Sequence, residues 1–209
     1  MKKAPIPPIT AIVFDLGNVL VDWHPRHAYA PLFQDRPEEL EYFLSHVCTL
    51  EWHSRHDAGI SFARNIRERQ QQFPQYKAEI AAYDSLWDQM FAGEIEESVQ
   101  ILQQLKQADY PLYALSNFPA EKFAAFRKEY SFMEVFEDCI ISGQEEVIKP
   151  DPRIYEILLK RSGKKPHEML FIDDRLENVE AAVAMGLHGL HFTDATQLAR
   201  DLKIFNLLP

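Results

Sequence analysis

Four short marks in the sequence could do chemistry together: Asp15, the pair Ser116-Asn117, Lys149, and the pair Asp173-Asp174. They supply two or three carboxylates, one ammonium and a hydroxyl/amide pair. Carboxylate oxygens suit Mg²⁺, which keeps several waters and takes few protein ligands. Hydroxyl, amide and ammonium groups suit phosphate oxygens. The set points to a metal acting on a phosphorylated ligand. Each mark also has a plainer reading. Asp15 alone reads as readily as a helix N-cap, and Ser116-Asn117 as a turn. Lys149 alone is one more exposed lysine, and either Asp173 or Asp174 could cap a helix. Only their joint placement favours chemistry.

That placement depends on the elements around them. Short apolar runs occur at 11–14, 111–115, 139–141, 169–172 and 188–192. Runs of this kind fit strands buried on both faces. Between them, apolar residues recur at helical spacing over 97–108, 152–162 and 176–185. Strand and helix in alternation predict an α/β fold with a mainly parallel sheet. Each mark stands at or just past a strand end, where open α/β sheets bind ligands. The interval from Trp23 to Ala92 breaks the alternation, with helical periodicity and no convincing strand. It is too long for a connector. It is expected to be an inserted α-helical subdomain with its own apolar cluster. The division expected is a core of 10–22 and 93–209 and an insertion of 23–92.

The marks resemble the four motifs of the haloacid dehalogenase (HAD) superfamily, in its phosphatase branch. They read Phe14-Asp15-Leu16-Gly17-Asn18-Val19-Leu20, Leu115-Ser116-Asn117, Ile148-Lys149-Pro150-Asp151 and Phe171-Ile172-Asp173-Asp174-Arg175-Leu176-Glu177-Asn178. The resemblance spans residues 11 to about 192. It implies a Rossmann-like HAD core, with the insertion after motif one as a helical C1 cap. The start of motif one and the overall length look most like the phosphatases of α-glucose 1-phosphate. By resemblance, Asp15 is the nucleophile that forms an aspartyl-phosphate. Mg²⁺ is held by Asp15, Asp173 and the backbone carbonyl of Gly17, with Asp174 beside it. Lys149 stabilises the transferring oxygens, Ser116 and Asn117 bind phosphate, and Asn178 fixes the motif-four loop. The sequence departs from the pattern at Gly17, where most such phosphatases hold a second Asp as acid–base. General acid–base help is worth about 10²- to 10⁴-fold. Asp22, His56 or Asp57 is the expected replacement.

The insertion invites further readings. Trp23, Trp52 and Trp87 read first as core packing. His53 and His56 have three-residue spacing, but a zinc site lacks a third ligand. The stretch ending at Gly59 reads as a substrate-specificity loop, with Arg55 or His56 on a sugar hydroxyl, or as a solvated helix end.

Composition narrows the partners. Net charge is −10, from 22 Lys+Arg against 32 Asp+Glu. That is a poor match for nucleic acid or anionic lipid. Two distant cysteines, Cys48 and Cys139, make no disulfide framework. With no signal peptide or membrane span in view, the expectation is a cytoplasmic chain with a short extended leader from Met1 to Thr10. The substrate expected is a small phosphorylated metabolite, with a sugar phosphate first. A metal-free 2-haloacid dehalogenase and a non-catalytic phosphoryl-ligand sensor are the alternatives. The chain is expected to be a monomer or a homodimer, with aromatics between Phe123 and Phe136 as the candidate dimer face.

Overall fold

A computed structural model describes residues 9–208. In chain order the elements are β1 (Ala11–Phe14), β2 (Val21–Trp23), α1 (Pro25–Tyr29), α2 (Pro37–Tyr42), α3 (Leu50–Asp57), α4 (Phe62–Gln72), α5 (Lys77–Ser85), β3 (Phe91–Glu94) and α6 (Glu96–Gln107). They continue as β4 (Leu112–Ser116), α7 (Ala120–Glu129), β5 (Asp138–Ile141), α8 (Ser142–Glu145), α9 (Pro152–Ser162), β6 (Met169–Asp173), α10 (Leu176–Ala184), β7 (His188–His191) and α11 (Ala195–Ile204). All but the last two residues of the expected leader lie outside the described residues, and Thr10 donates to the Glu168 carbonyl at 2.8 Å.

Five parallel strands form one sheet in the order β5-β4-β1-β6-β7. Side chains of a strand alternate between faces. Ala11, Val13, Tyr113, Leu115, Met169 and Phe171 therefore meet α9 and α10 on one face. Ile12, Phe14, Leu112, Ala114, Leu170 and Ile172 turn to the other. This is why the strands read as unbroken apolar runs. β1 is the centre, and the chain order reverses there, with β4 on one side and β6 on the other. Ligand crevices in open α/β sheets form at such a switch.

Two expectations are corrected. The first is that 23–92 holds no strand. β2 and β3 form an antiparallel ribbon that straddles both ends of that interval, Val21 opposite Glu94 and Trp23 opposite Phe91. The register slips between Asp22 and Trp23, and the short strands alternate with polar residues. Tertiary pairing rather than local pattern makes them strands. The second is that the insertion owns a separate apolar cluster. Tyr29, Phe33, Phe43, Trp52, Phe62, Tyr83 and Trp87 join one continuous core with Ile12 and Phe14 of the sheet. The interval between the ribbon strands is otherwise helical, as expected.

The aromatics between Phe123 and Phe136 are also corrected. Phe123, Phe126, Phe132 and Phe136 are all buried, so they offer no dimer face. Cys48 and Cys139 are free thiols. No helix among the described residues is long and apolar enough to cross a membrane.

Candidate active site

The four marks converge at the carboxyl edge of the sheet. β1 delivers Asp15, whose N–H still donates to the Ile172 carbonyl of β6 at 2.9 Å. The Leu16 N–H donates to Asp15 Oδ1 at 2.7 Å and turns the carboxylate toward the edge. The chain then loops back at once. Asn18 takes a left-handed backbone (φ 57°), and Leu20 N donates to Leu16 O at 2.9 Å. Leu16, Val19 and Leu20 are fully buried and anchor this loop from below.

Lys149 is the hub of the site. Its Nζ donates to Asp173 Oδ2 at 2.6 Å, to the Leu115 carbonyl at 2.9 Å, and contacts Asp15 Oδ1 at 3.0 Å. An ammonium has three donors, and all three are used. Lys149 is only 2% exposed, far from the surface lysine of the plainer reading. Burial pulls its pKa down, but Asp15 and Asp173 more than offset this and hold it above the ordinary lysine value.

Asp173 is fully buried at the end of β6. Its Oδ1 accepts from the Arg175 N–H at 2.8 Å, and the Asn178 amide donates to both oxygens at 3.0 and 3.1 Å. Tyr155 donates its hydroxyl to the Asn178 carbonyl at 2.8 Å. Asn178 thus fixes the Asp173 carboxylate as well as its loop. The sequence reading passed over Tyr155, because its place on the apolar face of a helix looked like packing alone. It also passed over His191, whose Nε2 lies 2.9 Å from the Asp174 carbonyl.

Ser116 is buried beside Asp15 and its hydroxyl favours the charged carboxylate. The Asn117 side chain bonds both backbone groups of Lys149. Its Oδ1 accepts from Lys149 N at 2.8 Å and its Nδ2 donates to Lys149 O at 3.1 Å. It clamps the lysine backbone, which sets where the ammonium lies.

One ammonium answers three carboxylates. Burial raises the Asp15 pKa to about 7, against the pull of Lys149, and Asp173 and Asp174 add to the rise. Asp174 is also held above the usual carboxylate range, by burial first and Asp173 second. One oxygen from each of Asp15, Asp173 and Asp174 can lie within 4.8 Å of the others. An all-oxygen set short of positive charge fits Mg²⁺. Among the described residues this is the one such group, and His53 with His56 forms none.

Gly17 bridges to Val21, and a Cβ built there would meet nothing within 4 Å. Space for a side chain exists, yet none fills it. Of the three expected replacements, His56 does not fit. It is 1% exposed, with Nδ1 on the Ile60 carbonyl at 3.2 Å and Nε2 on the Asn65 amide at 3.1 Å. Asp22 is exposed and lies 2.9 Å from His27 Nε2. Asp57 is buried in the insertion with one oxygen unpartnered. Arg55 is paired with Glu68 at 2.6 Å.

A parallel sheet with an aspartate-centred charge cluster at its switch point, under a helical insertion, defines a Rossmann-like hydrolase fold. More particularly, the chain belongs to the haloacid dehalogenase-like hydrolases, whose family model matches residues 9–186. The sesquiterpene phosphatase astK of Aspergillus oryzae is 28% identical over 193 residues, covering 92% of this chain and 94% of that protein. A HAD-like family hydrolase from Porphyromonas gingivalis shares the fold with a TM-score of 0.71 at 21% identity, over 95% of this chain and 98% of that one. A HAD family enzyme from Bacteroides thetaiotaomicron, solved with magnesium and inorganic phosphate, aligns with a TM-score of 0.67 at 21% identity, over 89% and 95%.

Proposed function

We propose that this hydrolase is a Mg²⁺-dependent phosphatase of a small phosphorylated metabolite, working through an aspartyl-phosphate on Asp15. The observation that carries the reading is the single Lys149 ammonium held between Asp15 and Asp173, with Asp174 beside them. The phosphatase activity in the astK name and the magnesium and phosphate of the Bacteroides enzyme agree with it.

The Asp15 carboxylate would attack phosphorus as the P–O bond to the alcohol breaks. Water then attacks phosphorus, releasing inorganic phosphate and restoring Asp15. Asp15, Asp173, Asp174 and the Gly17 carbonyl would hold Mg²⁺. When bound, the ion neutralises charge between carboxylate and phosphate. Lys149 meets the charge that develops on the phosphoryl oxygens, and Ser116 binds one of them. The leaving alcoholate needs a proton, and no side chain at 17 supplies it. Asp57 and Asp22 are the remaining candidates. The free thiols support a reducing, cytoplasmic setting. A sugar phosphate, the first expectation, rests on the resemblance of motif one alone.

Hydrolysis of p-nitrophenyl phosphate with Mg²⁺, with EDTA, and by Asp15→Asn tests the reading. Turnover lost in EDTA and reduced about 10⁴-fold or more by Asp15→Asn is expected. Metal-independent halide release from a 2-haloacid would make the protein a dehalogenase. Binding of Mg²⁺ and phosphate without turnover would make it a sensor.

A further inference from the structure

Asp173 and Asp174 are neighbours in sequence, yet their carboxylates are held in unlike ways. Asp173 is pinned through its own oxygens by Lys149, Arg175 and Asn178. None of those donors turns to Asp174. The Asp174 carboxylate is met instead by its own backbone N–H, and the residue is only half-buried. Its direction therefore depends on the backbone that carries it. A side chain aimed in this way needs the peptide groups on both sides of its Cα to be fixed.

Both are fixed, and both from the end of β7. Asp173 and His191 are register partners at the last rung of β6 and β7. The Phe192 N–H donates to the Asp173 carbonyl at 2.8 Å, one more backbone bond beside that rung. The next carbonyl along, that of Asp174, is taken by a side chain, with His191 Nε2 at 2.9 Å. A carbonyl only accepts, so Nε2 carries the hydrogen. Each peptide group is planar, so holding its carbonyl holds the whole unit. The units before and after the Asp174 Cα are thus tied, one by backbone and one by the imidazole. Only the side-chain torsions of Asp174 are left free. His191 itself is no metal ligand, since its Nε2 is engaged and the oxygen cluster of Asp15, Asp173 and Asp174 includes no histidine.

We propose that His191 is a positioning residue that aims the Asp174 carboxylate at the Mg²⁺ site and so sets the affinity for the metal. The inference rests on the Mg²⁺-dependent reading of the site and adds a residue outside its four motifs. Outer partners of a metal ligand change metal affinity about 10- to 100-fold when removed. Without the His191 bond, the 174–175 peptide can rotate and carry the carboxylate away from the oxygens of Asp15 and Asp173. A structural tack would behave differently. The ring is exposed, where water replaces a lost donor at little cost to folding. Removal of the imidazole should therefore reach the metal before it reaches stability.

The test is calorimetric titration of the metal-free protein with Mg²⁺, for the parent, His191→Leu and His191→Gln. Leu removes the donor, whereas Gln keeps an N–H donor at a reach close to that of Nε2. His191→Leu is expected to raise the Kd for Mg²⁺ about tenfold, and His191→Gln to recover most of that loss. The Tm values of the three metal-free proteins are expected to agree. An unchanged Kd in His191→Leu overturns the proposal, whatever its Tm. Equal weakening by Leu and Gln also overturns it, because ring volume and not the donor would then be the cause. If the parent binds no Mg²⁺, the metal reading falls and takes this inference with it. If Mg²⁺ binds but p-nitrophenyl phosphate is not hydrolysed, the phosphatase reading fails alone, and the Kd values still decide the role of His191.

Discussion

The sheet edge and the interior of the insertion are both buried and both polar, yet they are built on opposite terms. At the edge, Lys149 spends three donors on three acceptors, and Asp173 takes four donor contacts from Lys149, Arg175 and Asn178. In the insertion, Trp23, Trp52 and Asn65 each keep an unpartnered atom. The difference reflects cost. An unpaired buried charge is strongly destabilising, about 3–5 kcal/mol when its partner is removed. A neutral group left open costs about 1–3 kcal/mol. The chain therefore completes its charged site internally and tolerates a few unpaired neutral groups in the insertion.

Removing the hub should break the edge outright. Lys149→Met leaves Asp15 and Asp173 buried side by side without their cation. Urea unfolding should show a loss of about 3–5 kcal/mol, and turnover should fall at least about 10²-fold. The charge argument also predicts a rescue. Mg²⁺ should raise the Tm of the variant more than that of the parent, because it then supplies the missing positive charge. Equal Mg²⁺ effects on both proteins would refute the claim that charge shortage defines this site.

A smaller change tests where the two regions meet. Gly17→Asp places a carboxyl where a Cβ meets nothing within 4 Å. Alkyl phosphates, whose leaving groups need a proton, should turn over faster by up to about 10²-fold. Acetyl phosphate, with a good leaving group, should gain little. Equal gains on both would mean that the new group acts on binding and not on proton transfer.

Sheet and motifs were legible because both are local. A buried parallel strand is a continuous apolar run, and the marks sit at strand ends whatever the rest does. The ribbon was not legible. Three or four residues with a register slip, including Asp22 and Glu94, carry no strand pattern, and their pairing closes over about 70 residues of helix. Side-chain roles that depend on a neighbour's backbone were also hidden. Asn117 reads as a phosphate ligand by type, and only the position of Lys149 shows that it also clamps the lysine backbone. His56 reads as a candidate acid–base group beside Asp57 and Gly59, and only its packing against Phe62 at 4.0 Å and Tyr83 makes it structural.

That histidine gives the finest test of the contrast, because the two regions respond to pH with opposite sign. Burial first, and His53 second, push the His56 pKa down from 6.5 to about 4. The folded ring stays neutral while the unfolded ring takes a proton below its ordinary value. Its stability contribution is thus full above pH 6.5 and is lost as pH falls toward 4. The shift corresponds to about 3 kcal/mol. Asp15 works the other way in the metal-free protein. Its folded pKa is raised from 3.8 to about 7, so the folded state gains a proton first and stability rises over the same descent. The parent should therefore show a flattened pH profile. His56→Gln removes one of the two slopes, and the gap between parent and variant in urea-unfolding free energy should shrink steadily from pH 6.5 to 4. A gap that stays constant over that range would mean the folded imidazole protonates as freely as the unfolded one, and that the insertion is wetter around His56 than its 1% exposure implies.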